Sequence, residues 1–152
     1  MYNKLVSLLL FTLICFQSNA QTALRQKNFN LTKGVAIEGY DPVSYFKSKP
    51  EKGSATYTYT YDGVVYHFVN AANLASFKQS PTNYEPQYGG WCAYAMGSSG
   101  EKVEVDPETY KIIDGKLFLF YNHLFNNTLK TWNKSEGQLK PKADANWQKV
   151  NH

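Results

Sequence analysis

Cys92 and Met96 stand four residues apart in the run Tyr88-Gly-Gly-Trp-Cys92-Ala-Tyr-Ala-Met96, and this spacing carries the most chemistry in the chain. On a helix, positions i and i+4 share a face. A thiolate beside a thioether suits Cu(I), and His67 or His123 would complete such a centre. The same pair also reads as two core-facing residues, since both types are commonly buried. A reactive thiol is another reading: a cysteine near a helix start loses its proton more readily, and Gln87, five residues upstream, offers an oxyanion donor. No second cysteine stands nearby for a dithiol cycle. A plain binding pocket is the remaining alternative, lined by Asp41, Tyr45, Tyr88, Cys92 and Tyr94. There Gly97-Ser98-Ser99-Gly100 either borders the pocket or closes a turn.

Other constellations are missing. The sequence has no His-Glu-x-x-His pair, no phosphate-cradling glycine loop and no dinucleotide fingerprint. Asp106 and Glu108 flank Pro107 in what reads as a turn, which argues against paired acid–base work.

The ends and the composition narrow the setting. Lys4, the largely apolar run Leu5 to Phe16, and the small residues Ser18-Asn19-Ala20 form the pattern of a secretory signal at residues 1–20. As a helix that run would reach only about 18 Å, short of a bilayer core. Ile14 before Cys15 does not fit a lipoprotein signal, which wants a small residue there. The expectation is therefore an exported protein, periplasmic or secreted, with no integral membrane segment after cleavage. Cys15 leaves with the signal, so Cys92 is an unpaired thiol in an oxidising compartment that favours paired ones.

Sixteen Lys and Arg stand against twelve Asp and Glu, giving a net charge of +4. The basic residues are scattered, with a mild excess late in the chain (Lys130, Lys134, Lys140, Lys142, Lys149). The electrostatic stripe of a nucleic-acid binder is absent. Twelve tyrosines point to packing with a wet hydroxyl end.

Stepping through the chain, residues 21–33 are polar and aperiodic and read as a flexible lead-in. Asp41-Pro42 reads as a helix start. Ala55 to Tyr61 alternates Thr and Tyr, Asp62-Gly63 supplies a two-residue turn, and Val64 to Val69 returns. That hairpin pairs Tyr61 with Val64, Tyr59 with Tyr66, Tyr57 with Phe68, and sets Thr58 opposite His67. Asn70 caps a helix through Gln79, and Ser80-Pro81 opens a short turn to Tyr84. A second hairpin turns at Asp114-Gly115. Asn122 is expected to cap a helix bearing Leu124, Phe125, Leu129 and Trp132, and a last helix places Ala143, Trp147 and Val150 on one stripe. The expected fold is α+β: a small antiparallel sheet of about four strands built from the two Asp-Gly hairpins, packed with short helices and C-terminal helices.

Taken in order, Gly39-Tyr40-Asp41-Pro42-Val43-Ser44-Tyr45-Phe46, Tyr66-His67-Phe68, Ser80-Pro81-Thr82-Asn83-Tyr84, Gln87-Tyr88-Gly89-Gly90-Trp91-Cys92-Ala93-Tyr94 and Lys142-Ala143-Asp144-Ala145-Asn146-Trp147 resemble the YHS-domain family, in its exported bacterial branch. The resemblance spans residues 34–150. Cysteine-bearing members of that family accompany copper-transporting ATPases and other heavy-metal proteins. The resemblance implies a metal- or ligand-handling module, with copper the expected metal. The positions matching the family's cysteines are Ser44, Val69 and Asn73, so the thiolate site itself does not carry over. The functional expectation is a non-enzymatic small-ligand or copper module that uses Cys92, Met96 and His67 for metal. The alternatives are a Cys92 enzyme and an interaction module with a structural Cys92.

Overall fold

The computed structural model describes residues 20–47 and 49–150; apart from Ala20, the expected signal lies outside the described residues. The chain is α+β. It opens on a helix, α1, over residues 20–28, followed by two short strands, β1 (Leu31–Thr32) and β2 (Val35–Ala36). This overturns the flexible lead-in expected at 21–33. The polar face of α1 is held by specific partners rather than by an apolar stripe, which is why no periodicity shows in the sequence. Arg25 lies over the rings of Phe29 and Tyr61 and bonds the buried Glu85 at 2.5 Å. The Gln26 amide donates to Gly63 O at 2.9 Å.

Strands β3 (Ser54–Tyr61) and β4 (Val64–Phe68) form the hairpin that the Thr/Tyr alternation predicts, turning at Asp62-Gly63. Thr58 faces His67, Tyr59 faces Tyr66 and Tyr61 faces Val64. Beyond Thr58 the register slips: Phe68 pairs with Ser54, not with Tyr57. Local side-chain bonds support the bulge, from Thr58 Oγ1 to Ala55 O at 2.8 Å and from Thr56 N to Ser54 Oγ at 3.2 Å. The two Asp-Gly hairpins do not share one sheet. β1 and β2 extend the first hairpin into a four-stranded sheet of order β1-β2-β4-β3, with β2 parallel to β4. The second hairpin, β5 (Asp106–Ile113) and β6 (Lys116–Phe120), stands as its own pair.

β6 divides the interior. Successive side chains of a strand point to opposite faces. Leu117 and Leu119 enter a core with Val43, Tyr45, Val64, Tyr66, Phe68 and Phe77. Phe118 and Phe120 enter a second core with Tyr88, Ala93, Met96, Trp132 and Ala143. A strand buried on both sides reads as an unbroken apolar run, and Leu-Phe-Leu-Phe is that run.

Helices fill in around these layers. Asn70 caps α2 (Ala71–Gln79) by accepting from Asn73 N, and α3 (Pro81–Tyr84) follows. A 3-10 turn (Gln87–Gly90) leads into α4 (Ala93–Ser98). The helix expected from Asn122 begins later, because Asn122–His123 (β7) and Asn126–Asn127 (β8) make a small hairpin. Leu124 and Phe125 sit exposed at its tip instead of on a helical stripe. The C-terminal helix α5 (Thr128–Val150), broken at Ser135, is capped by Asn127, whose Oδ1 accepts from Leu129 N. It packs along α4, where Asn146 donates to Met96 O at 2.9 Å.

Candidate functional site

A cleft of about 310 Å³ lies between α4, the connecting segment 101–103 and the β7–β8 hairpin. Its walls carry Tyr94, Ser98, Ser99, Glu101, Tyr121, Asn126 and Thr128, with Cys92 at the base. Most of these bring a hydroxyl. Glu101 is the one carboxylate, held by the Ser99 hydroxyl at 3.2 Å.

The Gly-Gly-Trp-Cys segment is brought here by the last residue of α1 and the segment that follows it. Asn30 N donates to Gly89 O at 2.9 Å, and the Trp91 indole donates to Asn28 O at 2.6 Å. Gly89 has φ 61° and presses against Trp147, whose ring would stand 2.8 Å from an added Cβ. Only glycine satisfies both conditions. The chain then turns so that Cys92 N donates to Val103 O.

Cys92 is fully buried, and its sulfur has two partners: Tyr121 N donates to it at 3.3 Å, and Thr128 Oγ1 lies 3.4 Å away. The Thr128 hydroxyl donates its single proton to Tyr121 O at 2.9 Å. The contact to sulfur must then run from S–H to Oγ1. The thiol is buried with both hydrogen-bond partners in place, and this argues against an accessible nucleophile. Cys92 is the residue before the six-residue α4 and makes no side-chain capping bond to it.

The expected Cys92–Met96 pairing does not form. Cys92 precedes the helix, with ψ 116°, so the i, i+4 rule for a shared face fails. Met96 packs among Phe118, Trp132 and Ala143 and does not line the cleft. His67 belongs to the other sheet, beside Gly39 and opposite Thr58. His123 lies in β7 and is exposed, not at a helix N-terminus. Among the described residues, no group of three or more His, Cys, Asp or Glu is arranged to hold a metal ion.

The expected pocket of Asp41, Tyr45, Tyr88, Cys92 and Tyr94 also divides, because only Cys92 and Tyr94 reach the cleft. The Tyr45 hydroxyl donates to Pro107 O at 2.8 Å inside the first core, and burial raises its ionisation above the ordinary tyrosine value. Tyr88 bonds Asp144 at 2.8 Å and stacks edgewise on Phe118. Asp41 is fully buried and accepts from Val43 N at 2.8 Å, Val69 N at 2.9 Å and Asn73 Nδ2 at 2.6 Å. The Ser44 hydroxyl donates to Asp41 O at 2.7 Å, and Lys47 reaches Asn73 Oδ1 at 2.6 Å. Ser44, Val69 and Asn73 therefore gather around one buried residue, Val69 and Asn73 on the Asp41 carboxylate and Ser44 on its main-chain carbonyl.

Comparison with protein-family models, curated proteins and solved structures returned no match.

The cleft residues that sequence reasoning missed include Glu101 and, on the opposite wall, Tyr121, Asn126 and Thr128. A legible signal was present: Asn127 sits just before the periodic Leu129 and Trp132, where an N-cap belongs. Placing the helix start there frees residues 121–127 to form a wall. Among the described residues no helix is long and apolar enough to cross a membrane.

Proposed function

We propose that this chain is an exported, non-catalytic binding module of YHS type that takes a small neutral or cationic polar ligand in the cleft beside Cys92. The observation that carries the reading is the cleft's lining. Five hydroxyl-bearing residues (Tyr94, Ser98, Ser99, Tyr121, Thr128) line it together with Asn126 and Glu101, with no Lys, Arg or His among the lining residues. Such a wall offers hydrogen bonds to polar groups and a counter-charge to an amine, and it repels a carboxylate or phosphate. Its size, near the lower end for ligand pockets, suits a small molecule.

Two further observations support the module and its family. The positions matching the cysteines of the resembled family, Ser44, Val69 and Asn73, stand together around Asp41. Here a closed hydrogen-bonded knot stands in their place. The saturated Cys92 thiol supports binding over covalent chemistry. The copper branch loses its basis once Met96 and His67 stand apart from Cys92.

The test is an NMR titration of the ¹⁵N-labelled protein with a panel of small amines, polyols and carboxylates. Amines or polyols should shift the amides of Ala95, Ser98, Ser99, Glu101, Tyr121 and Asn126, and carboxylates should not. Preferential binding of carboxylates, or no shift there from any amine or polyol, would reject the reading.

A further inference from the structure

Four hairpins in this fold turn on two residues each, and one of them breaks the rule the other three obey. The turns at Lys33-Gly34, Asp62-Gly63 and Asp114-Gly115 all set a polar residue and then a glycine at positive φ. That is the composition that tight hairpins demand. Between β7 and β8, where His123 pairs with Asn126, the two turn residues are Leu124 and Phe125. Leu124 holds φ 53°, a conformation that glycine or asparagine adopts with ease and a leucine adopts under strain. Its side chain is 83% exposed and that of Phe125 is fully exposed.

Neither residue gains burial within the fold, so strain and exposure are both unrepaid inside the chain. They are the two large apolar side chains left in solvent among the described residues. Nothing of opposite sign lies beside them in sequence: no Asp or Glu occurs between Asp114 and Glu136, whereas His123, Lys130 and Lys134 do. Lys130 and Lys134 are exposed and make no ion pair among the described residues. Glu101 stands on the other wall of the cleft that Asn126 lines, bonded by Ser99.

We infer that the β7–β8 tip is a membrane anchor, with Leu124 and Phe125 entering the interface of an anionic lipid bilayer and Lys130 and Lys134 meeting its headgroups. Two convex side chains cover far less than the roughly 1,000 Å² that a specific protein interface needs. A fluid interface accepts such a wedge without a preformed pocket. One apolar wedge alone holds a protein weakly, so the basic pair is the second signal that makes binding depend on anionic lipid. The assignment stands independently of the cleft's ligand.

The test compares the protein purified after export with its Leu124→Gly/Phe125→Asn variant. Gly-Asn suits a turn whose first residue alone has positive φ, so the variant keeps its fold and melts no lower than the parent. Both are sedimented with vesicles of phosphatidylcholine, with and without a minority of phosphatidylglycerol. The parent should pellet with the phosphatidylglycerol vesicles, less so as salt rises, and the variant should pellet about tenfold less. If the parent stays in the supernatant, the anchor is wrong and a protein partner becomes the reading of the hairpin. Equal pelleting of parent and variant also overturns it.

Discussion

The Cys92 thiol donates its proton to the Thr128 hydroxyl, because that hydroxyl has already given its own to Tyr121 O. The lone cysteine of the folded domain is thus a hydrogen-bonded element of the joint between α4, the end of β6 and the start of α5. It sits at the base of the cleft with its sulfur closed to solvent.

Iodoacetamide should therefore label Cys92 only once the protein is unfolded, with a rate in native buffer that tracks global unfolding. Thr128→Val removes the acceptor, leaves a buried S–H unpaired and should cost about 1 kcal/mol in urea titration. Fast labelling of the native protein near neutral pH would restore the nucleophile reading.

The knot around Asp41 should be the most sensitive polar position in the fold. Asp41→Ala strips the acceptor from Val43 N, Val69 N and Asn73 Nδ2 at once, with an expected loss of about 3 kcal/mol or more. Asn73→Ala removes one donor and the Lys47 contact and should cost less than half as much. Chemical denaturation of both variants checks the order, and a milder effect at Asp41 than at Asn73 would contradict it.

The N-terminal helix is fastened by charge. Arg25 and Tyr66 both bond Glu85 Oε1 at 2.5 Å, and the Glu85 side chain is only 11% exposed. Arg25→Met leaves that carboxylate with the Tyr66 hydroxyl alone and should cost about 3 kcal/mol. The Arg25→Met/Glu85→Met pair should recover most of the loss, because it leaves no charge behind. An additive double variant would show that the pair acts independently.

How much of this was legible in the chain depends on where each element's partners lie. The β3–β4 hairpin and the Asn70 cap are written in local alternation and a local side-chain bond, and both form. β1 and β2 are two residues each and find their partners across the fold, Val35 beside Val65, so no window around residues 31–36 contains the signal. The Cys92–Met96 inference failed at a single dihedral: an i, i+4 spacing implies a shared face only if residue i is itself helical, and Cys92 is the residue before the helix. Tyr94 is a pocket residue in the sequence reading, and Ser98-Ser99 either borders that pocket or closes a turn, whereas Tyr121 and Thr128 stay hidden behind a helix start set too early.

Alkali should unfold the protein in a predictable window. Burial raises the ionisation of Tyr45, Tyr66 and Tyr88 above 10.0, with the Glu85 charge adding at Tyr66 and the Asp144 hydrogen bond at Tyr88. In the unfolded chain these hydroxyls ionise near 10, so there the unfolded state binds fewer protons than the native one and stability falls as pH rises. Below that pH both states are protonated and the three have no effect. Each contributes about 1.4 kcal/mol per pH unit above the threshold. Tyr45→Phe should lower stability at neutral pH yet flatten the decline between about pH 10 and 11. An unchanged slope would show that Tyr45 ionises as easily folded as unfolded.

The cleft itself is tested most directly by filling it. Ser98 is exposed on its wall, and Ser98→Trp should occupy the space between Tyr94 and Tyr121 without touching either core. The measurement is the affinity of the tightest-binding amine or polyol for the parent and for Ser98→Trp, by calorimetric titration with equal thermal stability verified. A loss of about tenfold or more in the plugged variant is the predicted result, since the ligand loses most of its enclosed contact. Equal affinity in a folded Ser98→Trp protein would contradict the account, because the ligand would then be bound somewhere other than beside Cys92.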